Sequence, residues 1–121
     1  MKIHEQIQTI TEELISWNGI GYEISTQELK ELVSARFGTN ISSIIPPDYC
    51  YNRVNKGINF FRDPRLFAYI GPGLYECLGE NYQFDGSVYA KPKGSKTEII
   101  VGSWKNGIFT QNVNWEKYCL K

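Results

Sequence analysis

Two short strands and a tight turn are predicted by Leu66-Phe67-Ala68-Tyr69-Ile70-Gly71-Pro72-Gly73-Leu74-Tyr75-Glu76-Cys77-Leu78. Apolar residues fill both arms. The Gly71-Pro72-Gly73 run between them is typical of a turn, because glycine accepts positive φ and proline presets the backbone. Two helical patterns and a polar, tyrosine-containing segment precede this hairpin. The order of the elements therefore carries more information than the hairpin alone.

The first helical pattern is an apolar stripe near the N-terminus. Its members recur every three or four positions and are Ile3, Ile7, Ile10, Leu14 and Trp17. This spacing places them on one face of a helix. Asn18-Gly19 is expected to end the helix, since glycine suits a left-handed cap.

A second helix is expected between Ser25 and Gly38. Ser25 and Glu28 form a capping box, which satisfies two backbone donors at a helix start. The apolar stripe that follows consists of Leu29, Leu32, Val33 and Phe37. Before this helix, residues 21–24 predict a short strand that can pair with the hairpin.

Pro46-Pro47 interrupts a third helical segment, because proline lacks a backbone donor and restricts the residue before it. We therefore expect a third helix in two pieces, over residues 41–46 and 48–55. The second piece would present polar and aromatic side chains to a partner.

The C-terminal part of the chain predicts further strands. Residues 79–97 are rich in glycine, lysine and proline, which indicates a surface connection with a short strand over residues 87–90. Asn106-Gly107 is typical of a hairpin turn in which both residues adopt positive φ. Its two strands are expected over residues 98–104 and 108–113.

The hairpin and the segment before it resemble a known type of domain. Phe67–Tyr75 resembles the wing of small winged helix-turn-helix domains found beside restriction-type endonucleases and in chromatin-associated proteins. Ser43–Asn52 resembles a module of bacterial HNH nucleases and mobile-element proteins. The resemblance implies an α+β winged helix-turn-helix over residues 1–80, with three N-terminal helices, the third broken, and a β-hairpin wing. Residues 81–121 would add a C-terminal loop and β-hairpin packed on the same domain. The resemblance implies DNA contact but brings no catalytic residue.

Eight side chains in and after the broken helix are candidate DNA contacts: Tyr49, Tyr51, Asn52, Arg53, Asn55, Lys56, Arg62 and Arg65. Asparagine and arginine can bind base edges, lysine and tyrosine can hold phosphate, and tyrosine can stack on an unpaired base. The alternative is a polar loop whose two tyrosines pack on the core. For the lysines of the later loop we expect solvated charge; these are Lys91, Lys93 and Lys96.

Composition limits the other functions. The 121 residues carry 13 basic and 13 acidic side chains, with three basic against seven acidic over residues 1–48 and ten against six beyond. This asymmetry predicts a cationic face after residue 50. Three cysteines without paired spacing and a single histidine argue against a disulfide framework and a structural zinc site. Asp85 and Glu98 lack the nearby lysine of a nuclease metal site, so we expect no catalytic residue, metal or cofactor.

The expected function is non-enzymatic DNA binding, as a regulator or as the targeting part of a restriction or mobile-element system. The alternative is a protein-interaction module, such as a phage-encoded inhibitor of a bacterial enzyme, with Tyr49, Tyr51 and the 79–97 loop as its contact surface. The N-terminus lacks the apolar core of a signal peptide, and no apolar run reaches membrane length. We therefore expect a cytoplasmic protein without a membrane segment.

Overall fold

The computed structural model describes residues 1–54, 60–92 and 94–115. In these ranges the chain forms two α-helices, two 3-10 helices and seven strands in two sheets. The helices are α1 Ile3–Asn18 and α2 Thr26–Phe37, with 3-10 helices Ile41–Ser43 and Pro46–Tyr49. The strands are β1 Tyr22–Ser25, β2 Arg53–Val54, β3 Phe67–Gly71, β4 Leu74–Cys77, β5 Gly86–Ala90, β6 Ile99–Lys105 and β7 Ile108–Gln111.

Both α-helices begin and end close to where their patterns predict. The Ser25 hydroxyl oxygen accepts a hydrogen bond from the Glu28 amide at 3.0 Å, which caps the start of α2. Gly38 closes this helix with φ of 73°, the left-handed conformation that glycine adopts without a steric cost. The apolar stripe of α1 faces the core, where Ile7, Ile10 and Leu14 are buried.

The first sheet has the strand order β1-β4-β3 and is antiparallel throughout. It contains the predicted hairpin, and the short strand β1 pairs with it, Tyr22 lying opposite Cys77. The helices pack on this sheet and share one core with it. The largest fully buried side chains of that core include Phe67, Ile24 and Leu29.

The second sheet has the order β2-β5-β6-β7, with a parallel β2-β5 pair and antiparallel pairs beyond it. The predicted Asn106-Gly107 turn is confirmed, because both residues have positive φ, at 52° and 78°. A separate core lies against this sheet. Its buried members are Val54, Phe60, Val88, Ala90, Val101 and Trp115.

The winged helix-turn-helix predicted from the sequence is wrong. Residues 39–54 hold no third α-helix, and single 3-10 turns take its place on both sides of Ile45. Pro46-Pro47 explains this, since two successive prolines remove backbone donors that an α-helix needs. After the second turn the chain is extended: Cys50 bridges Phe67, and β2 pairs with β5. The C-terminal hairpin of β6 and β7 belongs to the second sheet, whereas the hairpin of β3 and β4 belongs to the first.

Tyr51 connects the two sheets. Its amide donates to the Phe67 carbonyl of β3 at 2.7 Å, and its own carbonyl accepts from the Trp104 indole of β6 at 2.8 Å. The phenol is buried as well, donating to the Gly79 carbonyl at 2.7 Å and accepting from the Tyr82 amide at 3.0 Å. Because Tyr51 is fixed on all sides, the two residues after it have defined positions.

Candidate functional site

A cleft of about 500 Å³ lies where the two sheets meet, and we call it the junction cleft. Strand β3 of the first sheet and strands β2 and β5 of the second contribute to its walls. The lining residues are Pro47, Arg53, Val54, Tyr69, Tyr89, Ala90, Lys91, Lys96 and Glu98. The site therefore exists only because residues 50–54 join the sheets.

The Arg53 guanidinium is held between two aromatic rings of the cleft. Its central carbon lies 4.4 Å from the centre of the Tyr69 ring and 4.7 Å from the centre of the Tyr89 ring. Such cation–π contacts stabilise a guanidinium by electrostatic attraction to the ring faces. A terminal nitrogen also donates to the Asn52 carbonyl at 2.8 Å. Arg53 is therefore a cation with a fixed position.

Asn52 fixes one of these rings. Its side-chain amide donates to the Tyr69 carbonyl at 2.9 Å, and its side-chain oxygen accepts from the Tyr69 amide at 2.8 Å. The pair imitates the hydrogen bonding of a neighbouring strand along β3. Because both polar atoms of Asn52 are used in this way, its role in the structure is to position Tyr69.

The electrostatic balance of the junction cleft is positive. Among its described residues, Arg53, Lys91 and Lys96 carry positive charge and Glu98 carries the opposing charge. Both lysines are exposed at the rim. Glu98 pairs with Arg53, the guanidinium Nε lying 2.9 Å from the carboxylate Oε2. A cleft with this balance attracts anions, and its exposed lysines can follow an anion over several conformations.

Two predicted contact residues, Tyr49 and Tyr51, lie in the core instead of on a surface. Burial raises the pKa of Tyr49 to about 12 and also raises the pKa of Tyr51. The Tyr51 ring stacks on Phe84, with ring centres 5.5 Å apart. This is the packing that the sequence offered as the alternative to DNA contact. The same burial removes these two rings from the surface proposed for a protein partner.

Arg65 is also buried and acts as a structural cation. It donates to the carbonyl of Asp48 at 2.6 Å and to the carbonyl of Cys50 at 3.0 Å. Burial lowers its pKa, and the neighbouring acidic groups oppose that shift. Arg62 is exposed, and its Nε lies 3.6 Å from the Asp63 carboxylate. The predicted contacts Asn55 and Lys56 lie outside the described residues.

Of the predicted contact residues, Arg53 lines the cleft and Asn52 positions the cleft residue Tyr69. The other described candidates do not line the cleft. The sequence reasoning missed Tyr69 and Tyr89, and it assigned Lys91 and Lys96 to solvated charge. The two tyrosines belong to strands separated in the chain, so no local pattern joins them. The lysines carried a signal, because a proline- and glycine-containing loop concentrates three positive charges within residues 91–96.

The thiols of the described chain have no features of a nucleophile. Cys50 and Cys77 are buried, and burial raises the pKa of each to about 12. Both are therefore protonated at neutral pH. Cys119 lies outside the described residues.

The two carboxylates considered for a metal site, Asp85 and Glu98, have different partners in the structure. Asp85 accepts from the Asn106 amide at 2.7 Å, whereas Glu98 pairs with Arg53. Within the described ranges, no three histidine, cysteine or acidic side chains cluster as metal ligands would. In the same ranges, no helix combines the length and apolar character required to cross a bilayer.

Comparison with known proteins gives a family. Residues 2–111 match the family described as Domain of unknown function (DUF7225). Over 108 residues the chain is 44% identical to the "Uncharacterized protein YnaC" of Bacillus subtilis (strain 168). The match covers 89% of this chain and 38% of that relative, so the chain spans about two fifths of the relative's length. No solved structure matches the chain. The extent of the match to the family shows that the chain belongs to DUF7225.

Proposed function

We propose that this chain binds a strand of DNA in the junction cleft and catalyses no reaction on it. One observation carries the proposal: the Arg53 guanidinium is fixed between Tyr69 and Tyr89 in a cleft whose rim holds Lys91 and Lys96. A fixed cation with exposed lysines beside it suits a ligand that carries several negative charges. A nucleic-acid strand supplies such charges at regular intervals along its backbone.

The chemistry of the cleft favours contacts to the sugar-phosphate backbone. Lysine binds phosphate as a point charge, and a tyrosine hydroxyl can donate to a phosphate oxygen. The cleft is less suited to recognising individual bases. The Asn52 side-chain amide is already bonded to the Tyr69 backbone, and one face of each tyrosine ring contacts Arg53. We therefore expect weak preference for sequence. Binding of this electrostatic kind has a Kd of about 10⁻⁴ to 10⁻⁶ M at physiological salt.

This mode differs from that of a recognition helix in the major groove. The cleft offers an open, cationic trough with aromatic walls instead of a helix face. Such features are typical of proteins that hold single strands. A module of this type would serve as a regulator or as the targeting part of a larger restriction or mobile-element system.

Fluorescence anisotropy with labelled DNA tests the proposal. A single strand and its duplex are titrated with the protein at about 50 mM and about 200 mM salt, a range over which backbone contacts weaken strongly. The proposal predicts binding to the single strand at low salt, with lower affinity at high salt because the release of counterions that drives binding is then less favourable. Absence of binding to either DNA at low salt would refute the proposal.

A further inference from the structure

Glu98 is the acidic member of a cleft that otherwise carries positive charge. Its carboxylate lies 2.9 Å from Arg53 Nε, so the guanidinium already has an ion-pair partner within the same chain. We propose that Glu98 keeps single small anions out of the junction cleft by pairing with Arg53 until a phosphate of a strand displaces it. This inference rests on the proposed function and adds the residue that selects the ligand.

The two partners of this ion pair are held unequally. Arg53 lies between two rings, donates to the Asn52 carbonyl and has a side chain that is 20% exposed. The Glu98 side chain is 44% exposed and precedes the first residue of β6, Ile99. The carboxylate can therefore rotate into solvent while the guanidinium stays in place.

The energetic cost of this rotation is small. Ion pairs with an exposed partner contribute about 0–1 kcal/mol, because water and salt screen them. A phosphate that replaces the carboxylate regains a charge-assisted hydrogen bond to the same guanidinium. Displacement is then nearly neutral at Arg53, and the outcome depends on what else the ligand contacts.

That dependence gives selectivity. A free phosphate ion exchanges one anion for another at Arg53 and gains little. A strand that places one phosphate at Arg53 can bring its neighbours to Lys91 and Lys96 at the rim. Glu98 thus adds a cost at Arg53 that a polyanion offsets through Lys91 and Lys96 and that a single small anion does not offset. Removing its charge should raise the affinity for both by a similar factor.

The test compares Glu98→Gln with the wild type, using a labelled single-stranded oligonucleotide as probe and inorganic phosphate as competitor. We expect Glu98→Gln to bind the oligonucleotide about 2–5-fold more tightly, the range that an ion pair of this exposure supports. Phosphate should compete better against the variant than against the wild type. Glu12→Gln is the matched control, because Glu12 is exposed on α1 and does not line the cleft.

A double-mutant cycle with Arg53→Gln separates displacement from a general effect of charge. If Glu98 acts through Arg53, then Glu98→Gln in the Arg53→Gln background changes affinity no more than Glu12→Gln does. An equal gain in both backgrounds would overturn the inference. Should Arg53→Gln fail to fold, the Nε–H resonance of wild-type Arg53 replaces the cycle: displacement predicts a shift on DNA addition, and an unchanged resonance at saturation overturns it.

The remaining outcomes distinguish this inference from the proposed function. If the wild type binds DNA and Glu98→Gln binds it equally, the role of Glu98 is refuted and DNA binding stands. If neither protein binds at low salt, both proposals fall together.

Discussion

The indole nitrogen of Trp104 donates a hydrogen bond to the carbonyl oxygen of Tyr51 across 2.8 Å. Trp104 belongs to the second sheet, whereas the Tyr51 amide is bonded to β3 of the first sheet. This bond therefore ties the two sheets together at the residue that precedes Asn52 and Arg53.

Trp104→Phe tests this connection, because phenylalanine keeps an aromatic ring and removes the donor. The Tyr51 carbonyl would lose its indole donor at a partly buried position, and the loss of such a hydrogen bond costs about 1 kcal/mol. We expect the free energy of unfolding to fall by that amount in urea titrations. Trp17→Phe is the control, since Trp17 is 75% exposed and should change stability by less than about 0.5 kcal/mol. Equal effects of the two substitutions would contradict the role of the bond.

Gly102 permits the close packing of β6 against β7. A β-carbon built on Gly102 would lie 2.5 Å from the Phe109 ring and 2.8 Å from the Thr110 carbonyl. Gly102→Ala should therefore destabilise the protein by about 1–3 kcal/mol through overpacking. Gly71→Ala is a matched control, because nothing lies within 4 Å of its β-carbon position. Thermal unfolding of both variants checks the contrast, and a Gly102→Ala protein as stable as Gly71→Ala would exclude the clash.

Arg65 is predicted to act on stability and not on ligand binding. Its guanidinium donates hydrogen bonds to the carbonyls of Asp48 and Cys50, and its central carbon lies 4.5 Å from the Phe60 ring centre. Arg65→Lys cannot reproduce this fork of donors and should cost at least about 2 kcal/mol in the free energy of unfolding. The exposed neighbour provides the comparison, as Arg62→Lys should be nearly neutral. A similar small effect at both positions would show that the buried contacts matter little.

Stability should fall in alkaline solution. Burial raises the pKa of Cys50 and Cys77 from 9.0 to about 12, so the unfolded chain releases these protons at lower pH than the folded protein does. Between those values the unfolded state binds fewer protons, and the free energy of unfolding decreases as pH rises. Below pH 9 the contribution is fully present.

Urea titrations from pH 7.5 upward under reducing conditions measure this decline. The Cys50→Ala/Cys77→Ala variant should start from a lower stability but lose less of it between about pH 9 and 10, before the buried tyrosines begin to contribute. A slope equal to that of the wild type would mean that the two buried thiols do not control the decline.

Local patterns predicted the helices and both hairpins. The Ser25 cap, the left-handed Gly38 and the Asn106-Gly107 turn depend on neighbouring residues only, and so a short stretch of sequence is enough to recognise them. The hairpin at residues 66–78 is of the same kind. Its position after two helices suggested a winged fold. That inference rested on the order of the elements along the chain and not on which strands pair with each other.

The junction cleft depends on pairing between distant segments. Arg53 meets Tyr89 because β2 joins β5 in parallel, and it meets Tyr69 because Asn52 binds β3. Neither relationship has a local signature. The burial of Tyr51 was also not predictable from its neighbours in sequence. Its ring packs against Phe84 and Trp104, which lie far along the chain. Residue chemistry alone therefore selected Arg53, which lines the junction cleft, and selected Tyr51 for a surface that it does not reach.

DNA binding at the junction cleft is tested most directly by the affinity of Lys91→Gln/Lys96→Gln for a labelled single strand across a salt series. We expect the cleft variant to bind at least about tenfold more weakly at low salt, with a salt slope smaller by about 1.4 because two phosphate contacts are lost. Lys30→Gln/Lys105→Gln removes the same charge outside the cleft and should bind within about twofold of the wild type. Equal weakening by both double variants, or wild-type affinity in the cleft variant, would contradict the account.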